Sequence, residues 1–134
     1  MAIMNRRQFH QTLIGTAASL SFSRIALADA TADLVAAEGR ARLAPLEYPE
    51  TEVWAFGGSV PGPTIRLAQG ARVSRRFVNE LPQPSSVHWH GVRIENAMDG
   101  VAGLTQAAVE PGGDFLYDFH VPDAGTYWYH PHNR

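Results

Sequence analysis

The stretch DFLYDFHVPDAGTYWYHPH, residues 114–132, decides how the rest of the chain is read. Phe115, Tyr117 and Phe119 fall on one face of an extended strand, and Asp114, Asp118 and His120 fall on the other. A helix would scatter the three aromatics around its circumference, so the stretch opens as a half-buried β-strand. Pro122-Asp123-Ala124-Gly125 turns the chain into a second strand, Thr126–His130. Trp128, His130 and His132 share one face there, with Tyr127 and Tyr129 on the opposite one. His120 has no histidine partner two residues away and reads as an ordinary solvent-facing side chain.

The same grammar extends toward the N-terminus. Thr51–Phe56 collects β-formers, Gly57-Gly58 and Pro61-Gly62-Pro63 punctuate, and Thr64–Leu67 follows as a short strand. In Ala71–Asn79, Val73 and Phe77 face inward while Arg72, Ser74 and Arg76 face out, and the cluster Arg72, Arg75, Arg76 reads as a solvated face. Leu81-Pro82-Gln83-Pro84 ends that strand, Ser85–Val92 is the next, and Arg93–Val109 is a long loop. Short strands divided by Gly and Pro turns predict an all-β fold, a Greek-key β-sandwich. The alanine-rich stretch before them, within residues 29–42, is expected to be a flexible lead-in.

Two histidine pairs stand out on these strands: His88-Trp89-His90 and His130-Pro131-His132. Each places imidazoles at i and i+2, on one strand face and ~7 Å apart, while the residue between points away. Pro131 removes a backbone donor that a regular central strand would use, which favours a ligand segment over routine pairing. Four convergent imidazoles predict a metal site, for copper or zinc, since neutral imidazole suits both and no carboxylate run offers a calcium cage. Four histidines could close around one tetrahedral zinc, but the strand spacing favours a cluster of neighbouring ions. Trp89 reads as core packing, and Trp128, on the histidine face, as packing against the ligands.

The motifs Ser86-Val87-His88-Trp89-His90-Gly91, Asn96-Ala97-Met98-Asp99-Gly100-Val101, Gly103-Leu104-Thr105-Gln106 and residues 122–132 recur in an order that resembles the first cupredoxin domain of a multicopper oxidase, from about Trp54 onward. The resemblance implies a cupredoxin (plastocyanin-like) sandwich over residues 43–134. It also implies that His88 binds a type 2 copper, that His90, His130 and His132 bind type 3 copper, and that Asp99 helps deliver protons to bound oxygen. The family reduces dioxygen to water while oxidising small one-electron donors such as phenols, amines or metal ions. Its trinuclear centre takes four histidine pairs, and its blue type 1 copper takes a cysteine. This chain has two pairs and no cysteine, so it reads as an N-terminal portion. Its sandwich is then expected to be incomplete at the C-terminal end, and further cupredoxin domains or another subunit are expected to supply the missing ligands.

Composition fits one small globular domain: 134 residues, 45% hydrophobic and 18% charged. Residues 1–28 read as a twin-arginine export signal, with Asn5-Arg6-Arg7-Gln8-Phe9, a weakly apolar stretch from Thr12 to Phe22, and Ala26-Leu27-Ala28 for cleavage. That stretch is too short for a membrane span, so a periplasmic or otherwise exported location is expected without stable membrane insertion. Removing residues 1–28 leaves 8 basic and 13 acidic residues, a net charge of −5, with no lysine anywhere. Such a surface argues against nucleic acid as a partner.

Other functions fare worse. A plastocyanin-type electron carrier needs a cysteine ligand that is absent. A hydrolase reading fails because Gly57-Gly58-Ser59-Val60-Pro61 lacks the last glycine of a nucleophile elbow, and neither Ser85 nor Ser86 has a strand-to-helix setting. An exported non-enzymatic cupredoxin-like scaffold, or a copper-sequestering module, is the standing alternative.

Overall fold

The computed structural model describes residues 32–132, and the proposed signal segment lies outside them. Six strands follow in chain order: β1 Leu34–Ala41, β2 Thr51–Phe56, β3 Arg72–Asn79, β4 Val87–His90, β5 Asp114–His120 and β6 Trp128–Pro131. The helical content among the described residues is one short 3-10 turn, Asn96–Met98. The all-β expectation holds. Strands order as β2-β1-β3-β5 in one sheet, with β1 and β3 parallel, and as β4-β6 in a second.

Period-2 patterning builds the larger sheet. On β3 the core face carries Val73 and Phe77, opposite Phe119 and Phe115 of the antiparallel β5. Outward, Arg72 holds Asp118 with two hydrogen bonds, Nη2 to Oδ2 at 2.7 Å, and Arg76 holds Asp33 in the same forked way. The guanidinium hydrogen bonds keep both carboxyls below the usual range. Between the sheets, Trp89 of β4 meets Tyr117 and Phe119 of β5 edge-to-face, at centroid distances of 5.5 and 5.2 Å. Phe56 does the same work at the other flank, 5.4 Å from Tyr129 and 6.2 Å from Phe77. Packing is therefore the role of Trp89, as its sequence position predicts.

Three expectations need correction. The flexible lead-in expected within residues 29–42 is largely β1, because Leu34 and Ala36 are buried against β3 and β2 while the hairpin register runs from Ala36↔Phe56 to Ala41↔Thr51. Small alanine side chains carry little strand signal alone, and tertiary pairing decides. Arg75 is not on a solvated face: it is buried on the core side of β3, and its Nη1 donates to the Ala32 carbonyl at 2.6 Å. Residues 64–67 form no strand, although Ile65 and Leu67 still pack on the core. His120 is exposed, as expected, and of the two tyrosines only Tyr129 packs inward while Tyr127 stays exposed.

Tyr117 ties the core to the histidine strand. Fully buried, it accepts a hydrogen bond from the Val87 amide at 2.9 Å through its hydroxyl, and burial pushes its pKa up to about 12. A raised folded pKa means that the neutral phenol is favoured by folding. Stability from this group is complete below the ordinary tyrosine value of 10.0 and drains away as pH rises from there toward 12. In an alkaline spectrophotometric titration, Tyr117 ionises last, together with unfolding, and Tyr117→Phe removes that step. Phe77→Ala, at a site with no exposure, is expected to cost ~3–5 kcal/mol in chemical denaturation. That loss is a large share of a typical domain stability of ~5–15 kcal/mol.

Candidate metal centre

β4 and β6 run antiparallel with His88 opposite His130, His90 opposite Trp128 and Trp89 opposite Tyr129. Directly opposed residues share a face, so the register that buries Trp89 puts the histidines of both pairs together on the other side. The rings of His90, His130 and His132 lie 5.4, 5.3 and 5.7 Å from His88, centroid to centroid. One ring nitrogen from each of His88, His90 and His130 falls within 4.8 Å of the others. The structure thus brings all four predicted histidine rings together, and the converging ring nitrogens come from three of them, His88, His90 and His130, without His132.

Hydrogen bonds select which nitrogens are free. His88 Nδ1 lies 2.7 Å from the backbone carbonyl of Asp99, which can only accept, so Nδ1 carries the proton and Nε2 keeps its lone pair. His130 Nδ1 is likewise 2.8 Å from the Pro131 carbonyl, leaving Nε2. One nitrogen pair crosses the strands, His90 Nδ1 to His130 Nε2 at 3.4 Å. Two nitrogens bound to one ion at ~2.0–2.1 Å and a tetrahedral angle stand ~3.3 Å apart. The donor set, imidazole nitrogen throughout with lone pairs converging, fits copper or zinc.

The loop after β4 is held by a close backbone approach. Gly100 adopts φ +81°, and a Cβ there would stand 1.7 Å from the Val87 carbonyl oxygen, so only glycine fits. This seats the Asp99-Gly100 turn against the strand that carries His88 and His90. Asp99, predicted from the resemblance as an acid, comes to His88 by two routes: the carbonyl already described, and a carboxylate oxygen 3.4 Å from the same Nδ1. The carbonyl contact has no sequence signal beyond the Asp-Gly pair. Trp128 stacks on His130 at 4.2 Å and on His90 at 4.9 Å, yet is 58% exposed. Its expected place against the paired histidines is thus met, on an open flank.

A profile of the family described as multicopper oxidase matches residues 39–134. Among known proteins, the chain is 51% identical over 77 residues to "Multicopper oxidase MmcO" of Mycobacterium tuberculosis, a match covering 58% of this chain and 15% of that protein. It is 47% identical over 79 residues to "Copper resistance protein A" of Pseudomonas syringae pv. tomato, covering 59% of this chain and 13% of the relative. Among solved structures, Lac15 from a marine microbial metagenome superposes with a TM-score of 0.75 at 51% identity, covering 78% of this chain and 28% of that one. The chain spans only a small part of the length of each of these relatives. The family match covers most of the chain, including both histidine pairs and the strands that align them: the chain belongs to the multicopper oxidase family, whose cofactor is copper.

Proposed function

We propose that this chain is the copper-binding N-terminal portion of a multicopper oxidase and supplies half of the histidine ligands of its trinuclear centre. In this reading His88 serves the type 2 copper, and His90, His130 and His132 serve type 3 copper. The observation that carries it is the convergence of ring nitrogens from two opposed strands within a chain of this family. The 3.4 Å separation of His90 Nδ1 and His130 Nε2 supports their sharing one ion, while the Nε2 of His88 is left for a neighbour. Copper, when bound, supplies the one-electron steps by which dioxygen becomes water at the expense of phenols, amines or metal ions.

The chain's own residues have three tasks in this scheme. Backbone carbonyls of Asp99 and Pro131 hold the protons of His88 and His130 on Nδ1, so the opposite nitrogens are presented as ligands. The Asp99 carboxylate, half-buried beside His88, helps relay protons toward the oxygen being reduced. Trp128 covers one flank of His90 and His130. The remaining ligands, the type 1 site and the donor-binding loops belong to further cupredoxin domains or another subunit.

The purified 134-residue chain is expected to take up cupric ion, read by metal analysis and electron paramagnetic resonance. His90→Ala and His130→Ala should each weaken uptake by at least ~10-fold, with His120→Ala unchanged. Equal uptake by all four proteins would sink the ligand assignment. Oxygen consumption with a phenolic donor should be undetectable for this chain alone, and turnover would refute the shared-centre reading.

Residues 1–28 are proposed to direct folded export through the twin-arginine route, with processing near Ala28. Support comes from the paired Arg6 and Arg7, the weakly apolar stretch from Thr12 to Phe22 and the small residues Ala26-Leu27-Ala28. Replacing Arg6 and Arg7 together by lysine should leave the protein inside the cell in a fractionation assay, whereas continued export would exclude this route.

A further inference from the structure

Ser86 lies directly before the histidine strand and is completely buried. Its Oγ donates to the Gly100 carbonyl at 2.6 Å, with the His132 carbonyl 3.3 Å away as a second acceptor within reach. Its own carbonyl accepts from the His132 amide at 3.2 Å. One small side chain and its peptide therefore join three segments: the start of β4, the Asp99-Gly100 turn, and the end of the second histidine pair. Gly100 is the pivot, because the carbonyl that Ser86 holds is one residue beyond the carbonyl that receives the His88 proton.

We propose that Ser86 is a positioning residue that sets the tautomer of His88: its hydroxyl fixes the Gly100 peptide, and so aims the Asp99 carbonyl at His88 Nδ1. The close seating of Gly100 on Val87 limits how near the turn approaches the strand, while the hydroxyl fixes how the turn is rotated. The neighbouring residue shows that the contact is specific. Ser85 is equally buried, yet its Oγ has no hydrogen-bond partner among the described residues. An unconstrained neutral imidazole in water favours a proton on Nε2, the nitrogen that His88 must keep free if it is a ligand. Holding the proton on Nδ1 therefore requires an acceptor held in place. The consequence for copper rests on the ligand reading given above, whereas the tautomer does not.

Long-range proton–nitrogen NMR correlations on the metal-free protein, at a pH where imidazoles are neutral, read the tautomer ring by ring. Wild-type His88 should show a single Nδ1–H form; an Nε2–H form in the wild type overturns the proposal without any variant. Ser86→Ala should convert His88 to a mixture with a major Nε2–H form, leaving His90 and His130 unchanged. A wild-type His88 spectrum in a folded Ser86→Ala protein also overturns it. Should the alanine variant fail to fold, Ser86→Cys fills the same space with a much weaker donor and is expected to give the same direction of change. Ser86→Thr restores the hydroxyl and should restore the Nδ1–H form. A role confined to stability would lower the melting temperature and leave the tautomer untouched. In copper titrations of folded Ser86→Ala, the affinity should fall ~10–100-fold. An intact tautomer shift with unchanged copper uptake would count against the ligand reading of His88 and not against the positioning role.

Discussion

The pairing of β4 with β6 in one register is the constraint on which the site depends. With His88 opposite His130, both i, i+2 pairs open onto a common face, and Trp89 and Tyr129 turn together into the core. A slip of one residue would send the tryptophan outward and the imidazoles inward, so burial of one face enforces assembly of the other. The aromatic contacts of Trp89 with Tyr117 and Phe119 thus act on the histidine cluster from the opposite face of the strand. Folding energy and ligand geometry share a single cause.

A second layer comes from the backbone. The Val87 amide is taken by the Tyr117 hydroxyl, and the Val87 carbonyl lies beneath Gly100. The residue preceding the first histidine is therefore held at both its amide and its carbonyl. Through the Gly100 turn the Asp99 carbonyl reaches His88, so the loop between β4 and β5 helps orient that ring although it contains no histidine. Long loops in compact domains are usually functional, and this one is tied down at the strand it serves.

The sandwich class, the faces of β3 and β5, and all four histidines were legible because alternation and His-x-His spacing are local properties with period two. Asp99 was legible only through resemblance, and even then the contact with the shortest distance is made by its carbonyl rather than its carboxylate. β1 escaped because Ala36, Ala37 and Ala41 carry no strand preference and gain their place only by pairing with β2 and β3. Arg75 escaped because its inward position is set by strand parity while its charge suggests water; the compensating acceptor, Ala32, is 43 residues away. The bridging role of Ser86 is not legible, since a serine that joins three backbone segments leaves no mark in local sequence.

The stacking of Trp128 on two imidazoles has a practical corollary. Among the described residues it is the indole whose ring lies against histidines, and it faces solvent. A cupric ion held by those imidazoles would extinguish the emission of an indole at such short range, so the protein would carry its own fluorescent gauge of loading.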